Sequence, residues 1–301
     1  MIKRKRITFQ RHRETILGYL FIAPVCLGLI IFILGPIIAS LFLSFFEWDL
    51  FTPPHWVGFK NYVKIIFQDK LFWQSLKVTS FYVGGLVPLQ MMIAFLLALF
   101  LNVKIKGLSF FRTTFYMPVI VPIFASAIIW LWILNPEFGL ANALITKIGL
   151  PKLMWLESPR QVIPSLILMS LWRVGQPMII FLAGLQGVPT QLYEVAEIDG
   201  ATARSKFFNI TVPLMTPLIL FNGILGVIWS FQIFTTVYLI TDGGPANASL
   251  TYILYTYRHA FEWLHIGYAS ALGWILFLII LGITVLIFKY FGRRVYYLER
   301  I

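Results

Sequence analysis

Gly187-Val188-Pro189-Thr190-Gln191-Leu192-Tyr193-Glu194-Val195-Ala196-Glu197-Ile198-Asp199-Gly200-Ala201-Thr202-Ala203-Arg204-Ser205-Lys206-Phe207-Phe208-Asn209-Ile210-Thr211-Val212-Pro213 forms a polar island between two long apolar runs. Pro189 and Thr190 offer a helix start, with acids in the turns that follow. Glu194 and Glu197 are three residues apart and share a helix face. Gly200 tolerates the left-handed backbone that ends a helix. A second short helix, about Thr202 to Asn209, carries Arg204 and Lys206, and Pro213 then opens the next apolar run. The expected product is a compact helix–turn–helix, acidic at one end and basic at the other, with Phe207 and Phe208 on its second helix. Aromatic and charged side chains on so tight a loop suit docking to a partner.

The runs on either side decide the solvent. Of 301 residues, 59% are hydrophobic and 12% charged, whereas a soluble domain has about 45–50% apolar and about 25% charged residues. Such a surplus of apolar surface needs lipid around it. Six runs, near 16–46, 77–101, 113–134, 162–186, 213–240 and 267–289, are each long enough to cross roughly 30 Å of hydrocarbon. The expected fold is all-α, a polytopic membrane protein with six transmembrane helices. Residues 1–15 read as a basic tail and 16–301 as a single transmembrane domain with its loop at 187–212. Met1–Arg13 resembles the n-region of a signal peptide, but the apolar run after it far exceeds a signal h-region of about 7–15 residues, so an uncleaved first span is expected. Pro24, Pro36, Pro88, Pro118, Pro122, Pro164, Pro177 and Pro217 lie within or at the ends of these runs and mark possible kinks.

Basic residues set the orientation. The two termini and the 102–112 and 187–212 loops collect fifteen of the 24 Lys and Arg, among them Lys104, Lys106, Arg112, Arg204, Lys206, Lys289, Arg293, Arg294 and Arg300. The opposite side holds eight, and Arg173 sits within a run. The richer side is cytoplasmic by the positive-inside rule, which places both termini inside. The net charge of +12 is thereby assigned to topology and anionic lipid, not to nucleic acid. Most of Trp48, Trp56, Trp73, Trp130, Trp132, Trp155, Trp172 and Trp263 fall near expected outer ends, as in an interfacial belt. Residues 59–76 mix apolar and polar positions and read as a short amphipathic helix on the outer surface. Cys26, the only cysteine, reads as a small buried hydrophobe. His12, His55, His259 and His265 have no metal-ligand spacing, so no metal site is expected.

The loop resembles the EAA motif of permease subunits of binding-protein-dependent ABC importers, EAA-x3-G-x9-I-x-L-P. Glu194, Ala196, Gly200, Ile210 and Pro213 match at the right spacing, while Val195 and Val212 are mild apolar replacements. Trp56-Val57-Gly58-Phe59-Lys60-Asn61-Tyr62 is similar to an outer segment of the carbohydrate-uptake branch. So are Gly107-Leu108-Ser109-Phe110-Phe111-Arg112-Thr113 with Met117-Pro118, and Thr241-Asp242-Gly243-Gly244-Pro245-Ala246-Asn247 before the last run. The type resembled is the MalF-like, or lactose- and glycerol-phosphate-permease-like, member of a two-permease pair with a MetI-like fold.

That resemblance implies a prokaryotic inner (plasma) membrane protein working with a second permease, two ATP-binding-cassette ATPases and an extracytoplasmic solute-binding protein that delivers a carbohydrate. The chain has no Gly-x-x-x-x-Gly-Lys-Ser/Thr loop, so ATP and Mg belong to the ATPase partner and no cofactor is expected here. The coupling residues implied are Glu194 as ionic anchor, Ala196, Glu197, Asp199, Gly200 as the turn, Ala201, Phe207, Phe208, Ile210 and Pro213. For the solute path, Arg173 is the ionisable residue within a span and Gln176 lies near its face. Asn222, Trp229 and Thr236 recur every seven residues, flanked by Gln232. The same polar groups could instead bind neighbouring helices, and both readings stand. A membrane enzyme would need carboxylates or His and Cys at a membrane face, and an autonomous carrier would leave the EAA-like loop without a role.

Overall fold

The computed structural model describes residues 2–103 and 106–292. Lys104, Arg293, Arg294 and Arg300, counted in the topology, lie outside them, as do the side chains of residues 2–13. The helices are α1 (Ile2–Leu29), α2 (Gly35–Leu43), α3 (Lys60–Phe67), α4 (Lys70–Leu101), α5 (Leu108–Ile120), α6 (Ile123–Ile133), α7 (Leu140–Lys147), α8 (Val162–Leu171), α9 (Gly175–Gln186), α10 (Thr190–Ile198), α11 (Ala203–Lys206), α12 (Val212–Phe231), α13 (Thr235–Ile240), α14 (Tyr252–Tyr257) and α15 (Ile266–Phe291). Among the described residues, four helical stretches are long and apolar enough to cross a membrane, or up to six if each of two bent pairs is one span. The chain divides into two compact units, one of residues 1–65 with 259–274, the other of 66–258 with 275–301.

In the first unit α1 and α2 run on as one helix through a π turn at Ile30–Leu34. Cys26 is exposed on it, contrary to expectation, because the apolar stretch of this span is not buried. A two-stranded antiparallel ribbon, β1 (Phe46–Glu47) and β2 (His55–Trp56), follows. Asn61 Nδ2 donates to the Ser44 and Phe46 carbonyls at 2.9 Å each, and Tyr62 Oη donates to Ser44 Oγ at 2.7 Å. Asn61 thus satisfies two backbone oxygens, and Tyr62 a serine hydroxyl, where the helix gives way to the ribbon. Gly58 enters the turn ahead of it at φ +57°.

The amphipathic helix expected over 59–76 is shorter. Asp69 ends it, because its carboxylate accepts from the Leu71 and Phe72 amides at 2.9 and 3.1 Å and caps a new helix, α4. Residues 70–76 are therefore the first turns of a span.

In the second unit α4 is the central post, with α8, α9 and α12 packed on it. Ala94 and Ala98 are fully buried and one turn apart, which lets α9 approach closely. Phe181, Met178, Leu182 and Leu185 fill the contact, with Phe95 edge-on to Phe181 at 5.3 Å. Buried polar pairs tie α4 to α8 and to α14: Tyr82 Oη to Ser170 Oγ at 2.7 Å, and the Tyr252 amide to Thr79 Oγ1 at 2.8 Å. Arg112 Nη2 donates to the Leu101 carbonyl at 3.1 Å, satisfying an end of α4.

Three expected spans are interrupted. The run at 113–134 is α5 and α6, bent by 98°. Val121 and Pro122 are both extended there, as the residue before a proline prefers. The run at 162–186 is α8 and α9, bent by 46°. Trp172, Arg173 and Val174 close tight three-residue-step turns, and α9 restarts just before Pro177, whose ring would clash with a continuous helix. The run at 213–240 breaks after Phe231 and resumes at Thr235, so the seven-residue face of Asn222, Trp229 and Thr236 is not one helix face.

Candidate functional site: a docking loop and a polar cavity

The 187–213 segment begins as a helix–turn–helix. α10 ends on a left-handed Gly200 at φ +73°, where the Ala201 amide donates to the Ala196 carbonyl at 2.8 Å and the Gly200 amide to Glu197 at 3.0 Å. This is a Schellman turn, and it needs a residue that accepts positive φ. Asp199 is the last residue before that turn, and it is exposed. Thr202 starts the second helix, its Oγ1 accepting from the Ser205 amide.

The second helix is not short. It continues from Ala203 to Phe231 as a single candidate span, and Pro213 lies within it rather than opening it. A π turn at Phe207–Thr211 makes this possible: the Val212 amide reaches back to the Phe207 carbonyl, widening the helix just before the proline. The π turn of Ile30–Leu34 precedes Pro36 in the same way.

Among the docking candidates, Glu197 forms an ion pair with Lys206 across the turn. The Lys206 hydrogen bond and charge hold the Glu197 carboxyl below its ordinary pKa. Tyr193 Oη meets Thr211 Oγ1 at 2.9 Å, bracing α10 against the π turn. Phe207 is half-buried beside Phe95, ring centroids 6.2 Å apart, while Phe208 faces outward with Arg204 over its ring. Ile210 and Pro213 are half-buried. No residue of α10 is buried. Glu194, Val195 and Ile198 share a face, with Ile198 86% and Val195 57% exposed. Glu194 makes no ion pair among the described residues.

The solute-path candidates come from separate pieces, yet they meet. Arg173, Gln176, Asn222, Trp229, Gln232 and Thr236 all line one cavity of about 700 Å³ in the second unit, a size within the roughly 300–1,000 Å³ of small-molecule sites. The helix breaks create it: Arg173 sits in the α8–α9 bend, and Gln232 lies in the gap between α12 and α13. Arg173 Nη2 donates to the Val119 carbonyl at 3.1 Å and Nη1 to Val121 at 3.4 Å, so the guanidinium caps the broken end of α5. Arg173 thus bonds a neighbouring helix end and also lines the cavity.

Sequence reasoning assigned Trp130 and Trp172 to an interfacial belt. Instead both line the cavity, edge to face at 5.9 Å. It also passed over Ser126 on α6. Ser126 Oγ, Trp130 Nε1 and Asn222 Nδ2 are buried atoms without a hydrogen-bond partner, and all three residues belong to this cavity wall. The only signal for them is Pro122, whose break swings α6 into place. His259 and His265, unremarkable in sequence, lie side by side in the first unit with Nδ1 atoms 3.4 Å apart.

The fold and cavity define a membrane permease. Residues 90–297 match the family "Binding-protein-dependent transport system inner membrane component", and the chain belongs to it. It is similar to the probable ABC transporter permease protein YesP of Bacillus subtilis (strain 168), 41% identical over 95% of this chain and 93% of that protein. It is 31% identical to the trehalose/maltose transport system permease protein MalF of Thermococcus litoralis, over 93% of this chain and 95% of that one. Among solved structures, a chain of a bacterial ABC transporter involved in the import of the acidic polysaccharide alginate superposes with a TM-score of 0.81 at 25% identity, covering 96% of this chain and 99% of that chain. The protein is a transport component and not an enzyme.

Proposed function

We propose that this chain is one of two permease subunits of an ATP-driven importer of a carbohydrate, coupled to cytoplasmic ATPases through 187–212. The observation that carries the coupling is α10 itself: a helix with no buried residue, presenting the Glu194 carboxylate beside exposed Ile198 and Val195. Val195 and Ile198 are three residues apart, so their exposed side chains adjoin and form a small apolar patch that a partner can cover. Its tie to α12 is stiff, because the second helix of the loop and the span are continuous. Motion of a docked ATPase is thereby passed to a span that bears Asn222 and Trp229. Alternating access would follow as the spans rock between inward- and outward-facing states. ATP and Mg stay with the ATPases. The termini and this loop face the cytoplasm on the positive-inside argument, and a solute-binding protein delivers sugar from the other side. The aromatic and amide lining of the cavity suits sugar rings and hydroxyls, and Arg173, Gln176, Asn222, Trp229, Gln232 and Thr236 are the proposed contacts.

The test is ATPase activity of the complete complex in liposomes, with and without sugar-loaded binding protein. Glu194→Ala is expected to abolish stimulation and to weaken co-purification of the ATPase. Normal assembly and stimulation of that variant would remove Glu194 as the anchor.

A further inference from the structure

The short helix α7, in the loop between α6 and α8, is built inside out. A helix on a water-facing surface turns its apolar stripe inward and its polar residues outward. Here the polar Asn142 is the inward residue, 2% exposed. Its amide group is fully used. Nδ2 donates to the Pro136 and Leu153 carbonyls at 2.9 and 2.8 Å, and Oδ1 accepts from the Leu153 amide and Trp155 Nε1 at 3.1 and 2.9 Å. That hub ties the chain before and after α7 to the helix and fixes which face points away. Leu140, Leu144 and Ile148 recur every four residues on the outward face. Each is more than half exposed, as are the flanking Phe138 and Leu150. Exposed apolar surface of this kind marks a site that a protein or a membrane covers.

Composition and surroundings favour the membrane. Residues 138–156 carry Lys147 and Lys152, both exposed, and no Asp or Glu. Lys147 is three residues past Leu144 and shares its side of the helix. The cores of protein interfaces are rich in aromatic residues and Arg and poor in Lys. A helix lying in a membrane interface instead combines Leu and Phe with Lys, whose apolar stem follows the surface while the charge reaches the headgroups. α7 also contacts α6, half of a candidate span on which Ile128, Ile129 and Trp132 are exposed. Its apolar face therefore adjoins one that already requires lipid.

We infer that α7 is a lipid anchor. It lies in the interfacial layer of the outer leaflet, with Leu140, Leu144 and Ile148 among the acyl chains and Lys147 and Lys152 on anionic phospholipid headgroups. This rests on the reading of 135–161 as an outer loop. Each Lys near an anionic surface adds to the attraction, and the Asn142 hub presents the stripe already ordered, so little entropy is lost on contact. The anchor sets the depth of the outer end of α6, the helix that brings Ser126 and Trp130 to the cavity wall.

The experiment uses the complete importer with Cys26→Ser, in nanodiscs of phosphatidylglycerol and phosphatidylcholine. Leu144→Cys, Ile148→Cys and, on the flank of the helix, Thr146→Cys each carry a nitroxide, and collisions with oxygen and with a water-soluble nickel complex are compared. Oxygen is expected to dominate at 144 and 148, at a depth of about 5–10 Å, and the nickel complex at 146. In discs of phosphatidylcholine alone, or with Lys147→Gln and Lys152→Gln together, the probe at 144 should move outward. Dominance of the nickel complex at 144 and 148 would overturn the inference and leave the permease reading intact. Exclusion of both reagents from an immobile probe would overturn it in favour of a protein partner on this face. A depth that responds neither to the lysines nor to lipid charge would overturn the assignment to anionic lipid. The side of the membrane is read separately: Glu157→Cys is expected to react with an impermeant maleimide in right-side-out vesicles. Reaction only in inverted vesicles would remove the outer-loop reading and this inference with it.

Discussion

Gly200 and Glu197 stand on either side of one turn, and each makes a separate prediction. A Cβ at Gly200 would meet nothing within 4 Å, so substitution there tests backbone conformation alone. Gly200→Ala places an L-residue at φ +73°, at a cost of about 1–2 kcal/mol. Co-purification of the ATPase is expected to fall, and Gly200→Asn, whose side chain tolerates this region, should fall less. Glu197 predicts a pH dependence. Its pKa is held below the ordinary value by Lys206. The pair therefore contributes fully above the ordinary carboxylate pKa and is lost only as pH falls through the lower folded value. Protection of α10 amides in hydrogen exchange, corrected for intrinsic rates, should be flat from about pH 5 to 8. Glu197→Gln should lower it throughout that range. Glu197 and Gly200 were legible from the sequence because helix-end chemistry is local. The Tyr193–Thr211 brace, eighteen residues apart, was not.

Helices here are shaped by where they break. Gly175 opens α9 against α5 so closely that a Cβ would lie 2.5 Å from the Phe115 carbonyl oxygen and 2.9 Å from Tyr116 Cα. Both are backbone atoms and cannot rotate away. Gly184, on the same helix, would meet only the tips of Leu218 and Met215 side chains. Gly175→Ala is expected to destabilise the purified complex by about 1–3 kcal/mol, the range for overpacking, with a lower melting temperature. Gly184→Ala should shift it much less. An equal effect would mean that α5 and α9 have room to separate. Hydropathy located all these runs, since twenty apolar residues announce themselves in any window. It could not show that 113–134 turns through 98°, because the two halves together still read as one apolar run. Prolines marked possible kinks without saying which would open: Pro88 and Pro217 lie inside unbroken α4 and α12, while Pro122 ends one helix and begins another.

A chain with this much exposed apolar surface works as one component of a larger assembly, and α10 is the docking element proposed for it. The apolar stretch of the first span is not buried, so lipid or another subunit covers it. Purified alone in liposomes, the protein is expected to move no sugar and hydrolyse no ATP. Uptake by the isolated chain, measured with a labelled sugar, would instead make it an autonomous carrier. At this scale composition alone fixed the solvent, and twenty residues of spacing from Glu194 to Pro213 fixed the family, because both are properties of short windows read along the chain. Only the tertiary structure decided what the cavity is made of. Ser126, Trp130, Arg173 and Asn222 are distant in sequence and occupy three different helical segments. They share one wall because helix breaks turn those segments toward a common space, and no periodicity within any one of them records where the others lie.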